Sequence, residues 1–183
     1  MNKKLLIPVL AIAFVMLTTQ VLASGATTWH FVGTMAFAMD LYNQELDVNM
    51  LIVFITGKEY APTPKWGTFM LAVIYDSSFN QLWFALKDLG KGEFRWSMGQ
   101  AMLSTTVDFL GVTTQLTARW DAITPIEHVR SNDFMKPYYH IVFSGIGRDA
   151  SATATLDGLT FCYIPSLSSV HLDLNAEVII TKN

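Results

Sequence analysis

The chain has 183 residues, 51% hydrophobic and only 15% charged, with one cysteine and a formal charge of −3. An acidic balance with no basic run after Lys4 excludes nucleic acid and anionic membrane surfaces as partners, because both need clustered Lys and Arg. A lone Cys162 excludes an intrachain disulfide framework.

The chain opens with an address label. Lys3 and Lys4 make a positive start, Leu5 to Leu17 is apolar and uncharged, and Val21-Leu22-Ala23 offers small or compact residues before Ser24. This order predicts a cleaved secretory signal peptide over residues 1–23, too short in its apolar run for a full membrane span. Residues 24–183 then form the mature chain, expected as a single all-β domain in a periplasm or outside the cell. Lys3 and Lys4 leave with the leader, so the twelve basic residues become ten against fifteen acidic ones, a formal charge of −5.

Downstream, alternation of apolar and polar residues dominates. It predicts strands over 28–40, 46–57, 67–76, 80–88, 93–102, 103–110, 112–121, 137–146, 150–163 and 170–178. The segment 112–121 shows the pattern best. Thr113, Gln115, Thr117, Arg119 and Asp121 fall on one face, and Val112, Leu116, Ala118 and Trp120 lie between them. Turn-forming residues separate the runs: "DSSFNQ" at 76–81, "DLGKGE" at 88–93, "SGIGRDAS" at 144–151 and "IPSLSS" at 164–169. The strongest hairpin expectation joins "QLWFALK" to "EFRWSMG" across the glycine turn. The prolines of 57–67 predict an extended loop, and 123–137 predicts a second loop with one short helical turn. The architecture expected is a single antiparallel β-barrel or β-sandwich of 8–10 strands, largely a meander.

Alternation alone leaves open which face meets water. A soluble barrel buries its apolar face, whereas an outer-membrane barrel turns it to lipid. The segments 46–57 and 67–76 are apolar on both faces, which predicts strands covered on both sides, by the core and by a loop, helix or second subunit. The chain also ends Ile179-Ile180-Thr181-Lys182-Asn183, without a terminal aromatic. The soluble domain is therefore the leading expectation, with a small outer-membrane barrel as the alternative.

Signatures of catalysis are missing: there is no G-x-S-x-G, H-E-x-x-H, Gly-rich phosphate loop or C-x-x-C. No catalytic residue and no cofactor are assigned. If the first and last strands meet, His30 and His171 become neighbours, with Asp173 two residues along, which makes them candidate metal ligands. An enzyme with carboxylates or histidines at a cavity mouth is the further alternative. Cys162, between Phe161 and Tyr163, lacks any local group that would lower its pKa and is expected as a small buried hydrophobe. Five tryptophans, twelve phenylalanines and six tyrosines form the remaining signal. Trp83, Trp96, Trp120, Phe84 and Phe94 are candidate lining for an apolar or aromatic small molecule. The function expected is an exported, non-enzymatic module that binds such a ligand or self-assembles into a homo-oligomer through its doubly apolar strands.

Overall fold

The computed structural model describes residues 28–61, 64–135 and 139–182; the expected signal peptide lies outside them. The described residues form an all-β, wholly antiparallel, eleven-stranded sheet that does not close into a clean barrel. In chain order the strands are β1 (Thr28–Asn43), β2 (Val48–Ala61), β3 (Lys65–Tyr75), β4 (Gln81–Asp88), β5 (Phe94–Ser97) and β6 (Gln100–Phe109). They continue as β7 (Val112–Ala122), β8 (Glu127–Met135), β9 (Tyr139–Leu156), β10 (Leu159–Cys162) and β11 (Ser169–Lys182).

Two long strands organise the sheet. β1 pairs with β11 over its first part and with β10 at Tyr42, while β9 pairs with β11 and β8 early and with β10 and β7 late. Hence β10 and β11 lie end to end between β1 and β9, and β7 and β8 lie end to end on the other side of β9. The change of partner along β1 coincides with a register shift between Ala38 and Leu41. Asp40 supplies the bend, with φ of 58°, a region that favours short polar side chains. Its carboxylate accepts the Tyr75 hydroxyl at 2.6 Å, and its carbonyl accepts the Ser168 hydroxyl at 2.7 Å. The bulge is thus pinned from both flanks.

Alternation decides what the curled sheet encloses. Inward-facing Met50, Ile52, Phe54, Met70, Ala72, Leu103, Leu116, Trp120, Leu156 and Phe161 belong to one buried apolar cluster. The outward residues of β2 are buried as well: Val53 and Ile55 are each 1% exposed. That double burial is what the uninterrupted apolar run of β2 demands.

Several strand expectations need correction. The loop expected over 57–67 is mostly ladder, because β2 continues to Ala61 and β3 begins at Lys65. No helical turn occupies 123–137 among the described residues; Glu127–Met135 is β8. The expected turn at 144–151 runs inside β9, where Gly145 and Gly147 serve close packing: a Cβ at Gly147 would stand 2.2 Å from an Asp173 oxygen. The hairpin of 81–87 with 93–99 does not form. β4 pairs with β3 and β5 pairs with β6, so Trp83 and Trp96 are not on adjoining strands. The glycine-containing stretch between β4 and β5 carries the chain across a gap in the sheet instead of folding it back.

Candidate functional site

Four of the five aromatic candidates face inward, and they pack against protein. Phe54 on β2 is the hub. Its ring centroid lies 5.5 Å from Phe94, 6.0 Å from Trp96 and 5.8 Å from Trp120, the last two edge-on. Such edge-to-face contacts suit rings that fill one another's space. Trp83 stands apart, edge-on to Phe109 at 5.4 Å, and its indole N–H donates to the Asp108 carbonyl at 3.0 Å. Phe84, between Trp83 and Ala85, faces outward and is 39% exposed. The five therefore do not line one surface.

The gap that interrupts the sheet lies between β4 and the later half of β6, which is beyond the reach of β5. Side chains bridge it. Trp83 crosses at one end, and Lys87 crosses at the other. The Lys87 ammonium donates to Glu93 at 2.8 Å, to the Thr105 hydroxyl at 2.7 Å and to the Thr106 carbonyl at 3.0 Å. Glu93 also accepts from the Thr105 hydroxyl and the Gly90 N–H. The hydrogen bond from Lys87, then those from Thr105 and Gly90, hold the Glu93 carboxyl down at about 2. A shallow cleft of about 430 Å³ opens along this seam, between Ala85 and Lys87 on one bank and Thr106 and Asp108 on the other.

This bridge makes a testable contribution. Lys87→Met is expected to lower stability by about 1–3 kcal/mol at neutral pH, since it strips a buried hydroxyl and a carboxylate of a charged donor. Because the native Glu93 pKa lies below its ordinary value, its contribution is complete above about pH 4.5 and fades as pH falls to about 2. Chemical denaturation of the two proteins should therefore give a difference that shrinks on acidification. A constant difference down to pH 2 would refute the charged bridge.

The metal candidates are not brought together. β1 and β11 do pair, but the register sets His30 opposite Ile179 and His171 opposite Phe37, at well separated points of the ladder. His30 bonds Glu177 at 2.9 Å and tilts against Tyr60 at 5.3 Å. His171 and Asp173 do share a face, with His171 Nδ1 3.0 Å from Asp149 on β9. No group of three His, Cys, Asp or Glu suited to a metal occurs among the described residues. Asp173 is 4% exposed, and burial raises its carboxyl to about 7. Cys162 is exposed, contrary to the buried hydrophobe expected, because alternation on β10 gives the inward position to Phe161.

Of the outward faces, the polar side of β7 and the apolar second side of β2 and β3 were readable in the sequence, and the exposed apolar side of β4 was missed. On β7 and the late part of β9 they are polar: Thr113, Gln115, Arg119, Asp121, Thr153 and Thr155. On the other flank they are apolar. Val53, Leu71 and Leu86 line up across β2, β3 and β4, and Leu51, Val73 and Phe84 form the next row. Burial falls off along these rows, from Val53 at 1% and Leu71 at 2% to Leu86 at 42% exposed. The signal available was "LWFAL", where apolar residues stand on both faces of one strand.

No family model, curated protein or solved structure matches this chain.

Proposed function

We propose that this chain is an exported, non-enzymatic β-module that self-assembles through the outward apolar face of β3 and β4. One observation carries the reading: Leu82, Phe84 and Leu86 are 53%, 39% and 42% exposed at the margin of a face whose inner rows are buried. An apolar margin continuous with a covered face is where a second copy would extend the burial, with the same patch meeting itself in a twofold pair. The polar outward faces of β7 and β9 support a soluble module over the membrane barrel, which needs an apolar belt all round. The mutual packing of Phe54, Phe94, Trp96 and Trp120 favours assembly over an enclosed ligand.

Native mass spectrometry and size-exclusion chromatography of the purified protein test the proposal. A dimer or larger species is expected, and Phe84→Ser with Leu86→Ser should dissociate it by at least tenfold with little change in melting temperature. A monomer at tens of micromolar would overturn the reading, since a stable pair buries on the order of 800 Å² per partner.

A further inference from the structure

A second surface lies at one end of the sheet. Four connections share that end, because neighbouring strands are antiparallel: residues 44–47, 76–80, 110–111 and 157–158. Trp83 donating to Asp108 brings the start of β4 to the end of β6, so the second and third connections flank the seam. Three of these connections carry a large exposed apolar residue. Leu46 is 54% exposed, Phe79 76% and Leu110 77%, two of them among the most exposed apolar side chains described.

Turn chemistry does not account for them. Leu110-Gly111 and Asp157-Gly158 are matching two-residue hairpin turns, with φ of 53° and 85° in one and 48° and 79° in the other. Asp-Gly is the favoured pair for such a turn, whereas leucine in the left-handed region carries a steric cost of about 1–2 kcal/mol. Phe79 adopts the same region, with φ of 62°. Its ring stacks on Tyr75 at 5.7 Å and leaves its other face to solvent. The turns themselves are closed by carboxylates. Asp108 accepts the Gly111 N–H at 3.1 Å, and Asp76 accepts the N–H groups of Ser78 and Asn80 at 2.8 and 2.9 Å. Folding thus needs the aspartates there, gains nothing from Leu110 as an exposed tip, and gains from Phe79 only its one-sided stack on Tyr75.

Charge identifies the occupant. Asp40, Glu45, Asp47, Asp76, Asp108 and Asp157 all lie at this end, and among the described residues no Lys, Arg or His does. These six carboxylates exceed the whole formal charge of −5 of residues 24–183, so the rest of the chain is close to neutral. A second copy offers only a weakly cationic opposite end, where Lys58, Lys65, Lys91 and Arg95 are set against Glu59, Asp88 and Glu93, and an anionic bilayer would be repelled. We propose that this end docks on a cationic polypeptide surface with apolar sockets, the carboxylates steering the encounter and the Leu46, Phe79 and Leu110 tips anchoring it. The site is separate from the outward face of β3 and β4 and stands without it.

A fluorescently labelled peptide of repeated Lys-Leu-Lys units, titrated with the purified protein and followed by anisotropy, tests this. Saturable binding is expected, weakened at least tenfold between 50 and 300 mM NaCl, and weaker for an all-lysine peptide of equal length. The double variant Phe79→Asn with Leu110→Asn should melt no lower than the native protein, since asparagine suits both turns, yet bind at least tenfold more weakly. Phe84→Ser with Leu86→Ser should bind as the native protein does, which separates this surface from the assembly face. The proposal is overturned if no saturable binding occurs, or if the turn variant binds like the native chain. It is equally overturned if the tips prove to drive binding to phosphatidylcholine vesicles or self-association in place of the peptide.

Discussion

Trp120→Ala is expected to cost about 3–5 kcal/mol, a large share of the 5–15 kcal/mol that holds a domain of this size together. Trp120 is fully buried, and its ladder neighbours are Ala101 on β6 and Ala152 on β9. Ala118, Ala150 and Ala154 continue the row of small inward residues around it. One large ring among alanines makes a dense core, and its ladder neighbours are too small to fill the space left behind. Phe54, edge-on at 5.8 Å, would lose a ring partner at the same time. Chemical denaturation should show the midpoint falling with little change in slope. Trp120→Phe is the informative companion. The indole Nε1 is buried with no hydrogen-bond partner among the described residues, so phenylalanine removes an unpaired donor along with part of the area. A cost of about 1 kcal/mol is expected for it. Equal losses for the two variants would mean that the nitrogen, not the ring volume, is what the core depends on.

The all-β class and the inward set were readable in the residues because period-2 alternation reports directly on burial. The pattern at 112–121 became β7 with Leu116, Ala118 and Trp120 inside. Pairing was less readable. "LWFALKDLGKGEFRW" has every local property of a hairpin, yet its halves do not pair with each other, because the equally local hairpins of β3 with β4 and of β5 with β6 prevailed. Turn residues also misled at 144–151, where glycines that read as a break serve contact: Gly147 leaves room for Asp173 across the ladder. For the histidines, strand adjacency was foreseeable, but register was not. His30 stands opposite Ile179, eight residues along β11 from His171, and no local spacing encodes that register. The exposed tips at Phe79 and Leu110 were hidden for another reason. Leu110 reads as the end of a strand and Phe79 as one residue of a polar turn until their backbone angles and exposure are known.

Asp173 sets the second large expectation, a pH dependence opposite in sign to that of Glu93. Its ladder partner on β9 is Gly147 and its partner on β1 is Met35, so its immediate cross-strand neighbours bring no charge. His171, paired with Asp149, is the nearest titratable group on its own strand and face, and Glu127 on β8 lies beyond Gly147. Burial raises the folded-state pKa to about 7 from an ordinary 3.8, so the native protein holds a proton that the unfolded chain has released. Stability from this group is therefore full below about pH 4 and is lost as pH rises through about 7, at up to 1.4 kcal/mol per pH unit. Asp173→Asn keeps the shape and removes the titration. The variant should match the native protein near pH 4 and be more stable by a few kcal/mol at pH 8. The difference between the two curves isolates Asp173, because every other ionisable group is common to both proteins. Parallel curves from pH 4 to 8 would mean that the buried carboxyl ionises without cost, and that a cation near Asp173 compensates its charge.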